Sequence, residues 1–265
     1  MLTHRAFCDP SRHVLYENLD DYEHVVRKEL TKPGLNLGID CSDSLLYEGE
    51  TGHARRLIPL FSSKTKNPFG RKLILLTKST NIHYLEGLRT TNILVTFSLN
   101  PEPIADLWEG KWNDGLRVTP CIKDRLIASA KAQQMGFEVR WRVDPILPID
   151  NWADIYRDFI LSAAKDGHRP TRITLGSYRE MGRSLLTIAA KWGLPSMEWT
   201  PPELTKDGMH YHIPEGQRVE IYRLLSDIIK SAWRRVGSIP VVALCKETRS
   251  VREALGISHS HCNCE

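Results

Sequence analysis

Two stretches decide the fold: Arg71–Lys78, reading RKLILLTK, and Asn92–Asn100, reading NILVTFSLN. Both are short, almost continuously apolar and rich in β-branched or aliphatic residues, and neither alternates polar with apolar. A strand covered on only one face alternates; a strand covered on both does not need to. These two are therefore read as central strands of a parallel sheet with layers on either side.

Working outward, Leu37–Cys41, Phe137–Asp144 (FEVRWRVD), Arg172–Ser177 (RITLGS) and Ile239–Cys245 (IPVVALC) extend the series to six strands. Helical periodicity separates them over Leu19–Leu30, His53–Phe61, Ile122–Met135, Asp150–Lys165, Arg179–Trp192 and Gly216–Val236. Asn151, Pro214 and Gly216 stand near helix starts, and Gly136, Gly193 and Gly237 follow helix ends. Strands alternating with helices give an α/β protein whose strands run parallel through right-handed crossovers. The pattern leaves a barrel and a doubly wound sheet both open. No linker divides the 265 residues, so 1–265 is read as one domain in which 246–265 forms a C-terminal helix and a flexible Cys/His tail.

Composition narrows the class. With 41% hydrophobic and 26% charged residues the chain is an ordinary globular protein, and disorder or collagen-like repetition is excluded. No apolar run reaches membrane-spanning length, and the first ten residues lack the apolar core of a secretory signal, so a cytoplasmic protein is expected. The net charge of +4 permits a polyanionic partner without requiring one. Six cysteines, at 8, 41, 121, 245, 262 and 264, do not make a disulfide scaffold and are read as free thiols.

Parallel α/β proteins place their sites at the C-terminal ends of the strands. Those ends here read Asp40-Cys41-Ser42-Asp43-Ser44, Thr77-Lys78-Ser79, Ser98-Leu99-Asn100, Arg142-Val143-Asp144-Pro145, Gly176-Ser177-Tyr178-Arg179 and Cys245-Lys246-Glu247. Taken singly, most are ordinary helix caps and loop residues. Lys78 stands out because it follows an apolar strand and carries an ammonium to the rim, where it suits a carboxylate or phosphate. Cys41 is either packing or a reactive thiol.

In order and spacing, Gly38-Ile39-Asp40-Cys41-Ser42-Asp43-Ser44-Leu45, Leu76-Thr77-Lys78, Thr96-Phe97-Ser98-Leu99-Asn100 and Val143-Asp144-Pro145-Ile146 resemble the spore photoproduct lyase family of radical S-adenosylmethionine (SAM) enzymes. The resemblance runs from about Val14 to Cys245. It implies a partial (β/α) barrel and a [4Fe–4S] cluster with SAM as cofactors. The implied chemistry is radical cleavage of a thymine dimer in DNA, or a related hydrogen abstraction. By the same resemblance Asp40, Asp43, Ser44, Lys78, Ser98 and Asp144 line SAM, and Cys41 is the hydrogen-donor thiol. The sequence has no Cys-x3-Cys-x2-Cys, the loop that holds the cluster in the family. The expectation is therefore a chain lacking the cluster loop and the first barrel strand, and inactive in that form. The alternative is a non-catalytic SAM- or nucleotide-binding α/β module; a metal-dependent hydrolase lacks a supporting motif.

Three further clusters are weighed. His259-Ser260-His261-Cys262-Asn263-Cys264 is read as a frayed tail or a metal site, and His210-Tyr211-His212 as a surface turn or a metal site. Arg140 and Arg142 bracket Trp141, a pattern suited either to stacking and pairing with nucleotides or to an alternating strand; Arg55-Arg56, Lys64, Lys66, Arg71-Lys72 and Arg234-Arg235 add a basic rim for DNA.

Overall fold

The structure, a computed structural model, describes residues 18–38, 43–109, 119–181, 203–207 and 210–257. Its centre is a six-stranded all-parallel sheet of β1 (Leu37–Gly38), β2 (Leu73–Thr77), β3 (Ile93–Ser98), β4 (Glu138–Ile146), β5 (Arg172–Ser177) and β9 (Val241–Leu244). They lie side by side in that order. The order never reverses, so the sheet winds in one sense. A doubly wound sheet would show a switch point. Of the two architectures that the sequence leaves open, the strand order selects a partial (β/α) barrel, unclosed among the described residues.

All six expected strands are present. β2 and β3 are buried almost throughout, which is why their sequences show no alternation. The helices are α1 (Leu19–Leu30), α2 (Glu48–Thr51), α3 (His53–Phe61), α4 (Glu102–Glu109), α5 (Ile122–Gln134), α6 (Trp152–Lys165), α7 (Glu215–Arg234) and α8 (Arg249–Leu255). α6 packs against α7, and α7 against α8. Among the described residues no helix is long and apolar enough to cross a membrane. Gly136 and Gly237, with φ of 90° and 77°, end α5 and α7 in the left-handed conformation that glycine adopts without strain.

The two faces of the sheet differ in chemistry. Leu73, Leu75, Ile93, Val95, Phe97, Val139, Trp141, Val143, Ile173, Leu175 and Leu244 belong to the buried core under the helices. The residues between them, among them Thr96, Ser98, Arg140, Arg142, Asp144, Thr174, Gly176 and Cys245, stand on the other face, the inside of the partial barrel. In register, Ser98 lies beside Arg142, Arg142 beside Thr174 and Thr174 beside Ala243, so one largely polar row crosses four strands.

Two expectations are corrected. The helix expected from Arg179 does not start there. Arg179–Met181 is strand β6, paired antiparallel with β8 (His210–His212), which also pairs with β7 (Thr205–Asp207). The remainder of that expected helix, 182–192, lies outside the described residues, as do Cys8 and 258–265. His210-Tyr211-His212 is thus the middle strand of a small sheet rather than a turn, and His212 is buried. For Trp141 the structure selects the alternating strand: the ring is 1% exposed, donates its indole N–H to Ser129 Oγ at 2.8 Å and sits edge-on to Trp233, so it is core and not a platform for bases.

Candidate functional site

The inner face becomes ionic at the C-terminal ends of the strands. Asp144 is the hub. Its Oδ2 accepts N–H groups from Arg142 (Nη2 2.9 Å, Nε 3.1 Å) and Arg179 (Nη2 2.8 Å), and Oδ1 accepts Arg179 Nη1 at 3.3 Å. Burial by itself would raise the Asp144 carboxyl pKa, but Arg179 and Arg142 override it and hold the group far below the ordinary carboxylate range. Both guanidiniums are in turn stabilised as cations by Asp144 against the opposing effect of burial. The same two side chains direct Nη2 groups at Cys245 Sγ, at 3.1 Å from Arg142 and 3.5 Å from Arg179.

A second ionic cluster forms where β2 and β3 end. Lys78 Nζ donates to Glu109 Oε1 at 2.6 Å. Arg125 donates Nη1 to the same oxygen at 3.0 Å and to the Ser98 carbonyl at 3.1 Å, and Nη2 to Thr119 Oγ1 at 2.6 Å. Burial works to raise the Glu109 pKa, yet Lys78 and Arg125 bring it down to about 2. Lys78 therefore does not point an unpaired charge at the rim; it shares a buried carboxylate with Arg125.

Asp43 stitches the loop after β1 to the end of β2. Its Oδ1 accepts the backbone N–H of Leu45 (2.9 Å) and Leu46 (3.0 Å) and the Thr77 hydroxyl (2.7 Å), while Oδ2 accepts the Lys78 backbone N–H at 2.6 Å. Ser44 continues the ladder: its N–H donates to the Leu76 carbonyl at 2.8 Å and its Oγ accepts the Leu76 N–H at 3.1 Å.

Beyond β5, Ser177 Oγ, Tyr222 and Arg218 all converge on Glu247, and the Ser177 N–H donates to Tyr222 Oη at 2.7 Å. This group is buried and ties α7 to the end of β9. Two hydroxyls on the inner face, Thr96 Oγ1 and Thr174 Oγ1, are buried without a hydrogen-bond partner among the described residues. Such groups are uncommon and call for a partner, whether an ordered water, an ion or a polar ligand.

Of the residues singled out in the sequence, Asp43, Ser44, Lys78, Ser98 and Asp144 all lie along this rim. Asp43, Lys78 and Ser98 are joined through Glu109 and Arg125, and Arg142 is both the ion-pair partner of Asp144 and the register neighbour of Ser98. Asp40 and Cys41 lie outside the described residues. Glu109, Arg125 and Arg218 give no signal in the sequence, because each reaches the rim from a helix. Arg179, Cys245 and Glu247 do carry one, their position just past a strand, although the sequence does not set them apart from other loop residues. Among the described residues no group of three His, Cys, Asp or Glu side chains is placed to hold a metal ion. Of the basic residues outside the barrel, Arg55 pairs with Glu48, Arg56 with Asp20 and Glu23, Lys72 with Glu138, and Arg71 donates to backbone carbonyls.

No family model matches the chain, and no curated protein does. Solved structures do. A cysteine-to-alanine mutant of spore photoproduct lyase with dinucleoside spore photoproduct superposes with a TM-score of 0.70 at 16% identity, over 87% of this chain and 67% of that one. A double mutant of the lyase with bound AdoMet and dinucleoside spore photoproduct gives 0.69 at 16% identity, over the same shares. Native anSMEcpe with bound AdoMet and Kp18Cys peptide gives 0.53 at 12% identity, over 97% of this chain and 63% of that one. The chain has the partial (β/α) barrel fold of the radical SAM type, in the form seen in spore photoproduct lyase.

Proposed function

We propose that the chain is a radical SAM protein of the spore photoproduct lyase kind, which binds SAM across the inner face at the ends of β1 to β4 and acts on a nucleic-acid lesion. The observation that carries this reading is the polar rim of Ser98, Arg142 and Asp144, on a fold shared with a solved structure that holds both AdoMet and a dinucleoside photoproduct.

The donor set fits SAM. It offers the Ser98 hydroxyl, two buried hydroxyls with no partner among the described residues and an obligate anion at Asp144 beside two guanidiniums. Bound SAM would supply the reacting adenosyl group. Ser98 and Asp144 would orient the cofactor's polar groups, with Lys78, paired with Glu109, lining the site at the end of β2. Asp43 and Ser44 bind the segment that follows them to the end of β2; just before them in the sequence come Asp40, proposed to face the SAM amino group, and Cys41, proposed as the thiol that returns hydrogen to the substrate. The donor set described here does not fit a [4Fe–4S] cluster: the described cysteines are Cys121 and Cys245, and the sequence has no Cys-x3-Cys-x2-Cys. The part assigned to these residues is accordingly cofactor binding and substrate positioning.

Equilibrium dialysis of the purified chain against labelled SAM tests the reading. One saturable site per chain is expected. Ser98→Ala and Asp144→Asn should each weaken it at least tenfold, while Lys64→Ala, on the outer surface, should not. Absence of saturable binding, or equal affinity in all three variants, overturns the assignment.

A further inference from the structure

Cys245 follows β9 on the inner face, 4% exposed, with its backbone N–H donated to the Leu175 carbonyl at 2.8 Å. Its sulfur is met by two cationic donors, Arg142 Nη2 at 3.1 Å and Arg179 Nη2 at 3.5 Å. Guanidinium does not give up its proton near neutral pH, and a charged N–H gains far more from a thiolate than from a neutral thiol. Among the described residues, the charged and titratable groups around the sulfur are Arg142 and Asp144 of β4, Arg179 of β6 and, along its own segment, Glu247, which is tied to Arg218 and Tyr222 of α7. Asp144 opposes ionisation of the thiol, but it is shared by both guanidiniums and lies between them. A second observation concerns the same niche. Thr174 stands on the same face, in register with Arg142 on one side and Ala243 on the other, and its hydroxyl is fully buried with no partner among the described residues. Ala243 is two residues before Cys245 along the chain, so the polar arm of a group attached to Cys245 would lie on the face that carries this hydroxyl.

We propose that Cys245 is an ionised thiol inside the barrel and a site of covalent modification by a low-molecular-weight disulfide. The Cys245 thiolate attacks one sulfur of the disulfide. That S–S bond breaks, the mixed disulfide forms, and the departing thiolate takes a proton from solvent. No cofactor enters the step, so this proposal stands or falls separately from SAM binding.

The test uses the whole native chain. Iodoacetamide labelling is followed at the Cys245 peptide by mass spectrometry, at about pH 6 and about pH 8.5, in the folded chain and in urea. An unperturbed thiol, with a pKa of about 8.5, loses roughly a hundredfold in rate between those two conditions. In the folded chain the two rates at Cys245 should agree within about threefold, and in urea the hundredfold difference should return. Glutathione disulfide at about pH 6 should form the mixed disulfide at Cys245 in the folded chain. Arg179→Gln should restore a steep pH dependence, and the wild-type profile decides the matter by itself if that variant does not fold. A hundredfold fall in the folded wild type overturns the proposal, as does a Cys245 that stays unlabelled while folded and reacts fully in urea.

Discussion

Asp144 occupies the place where Gly176 would carry a side chain. A β-carbon on Gly176 would stand 2.6 Å from Asp144 Cγ and 2.9 Å from each carboxylate oxygen. The gap is filled by a charged group held from two sides by Arg142 and Arg179, so it has little room to give.

Gly176→Ala should therefore act on the ion cluster rather than on the strand itself, which has ordinary extended geometry there. Overpacking of this kind costs about 1–3 kcal/mol. Urea unfolding should show a loss in that range, and near-neutral alkylation of Cys245 should slow as its two guanidiniums are displaced. Gly216→Ala, in the first turn of α7 where an added β-carbon meets nothing within 4 Å, should instead be neutral to slightly stabilising.

Acid should unfold the protein earlier than its surface charges imply. Glu109 has a folded pKa of about 2, below the ordinary value of about 4.3 in an unfolded chain. A depressed folded pKa contributes stability that is complete above about pH 5 and is lost as pH falls towards 2, on the order of 3 kcal/mol for this group. Asp144 adds to it with the same sign. Urea midpoints measured from pH 7 down to pH 3 should fall, and Glu109→Gln should flatten the curve while lowering stability at pH 7, because Arg125 is left buried without its counter-charge.

Trp141→Phe should lower stability by about 1–3 kcal/mol, through the lost indole hydrogen bond to Ser129 and a small void beside Trp233. It should leave affinity for single-stranded DNA unchanged, as measured by fluorescence anisotropy. A selective loss of DNA binding at unchanged stability would contradict the buried placement.

Tyr222→Phe should be costly for a single hydroxyl. That oxygen accepts the Ser177 N–H and donates to Glu247, so its removal strands a buried donor and weakens a buried carboxylate. A loss of about 1–3 kcal/mol in chemical denaturation is expected.

β2 and β3 are legible in the sequence because parallel strands buried on both faces write themselves as nearly unbroken apolar runs, LILLT and ILVTFS. The misread element has the opposite character. Arg179-Glu180-Met181 are good helix formers, and pairing with His210-Tyr211-His212, some thirty residues away, overrides that preference. The rim residues Lys78, Ser98 and Asp144 announce themselves by their place at strand ends. Their partners Glu109 and Arg125 do not, because a helical residue shows its charge in the sequence but not the direction in which tertiary packing turns it. Likewise Trp141 between two arginines looks the same in sequence whether the alternation faces water or, as here, places the ring under helices and the charges inside the barrel.

The unreversed strand order has one interruption. β5 and β9 are neighbours in the sheet, yet the chain between them leaves to build the three-stranded sheet and α7 before returning. The three-stranded sheet is an inset: its strands pair with one another and with none of the six in the floor, whereas α7 packs into the core and is bound to the end of β9. Arg179, at its very start, is moored to Asp144. Change in the small sheet is thus separated from the floor of the barrel, while the ion pair that Arg179 makes with Asp144 ties its first strand to the charged rim.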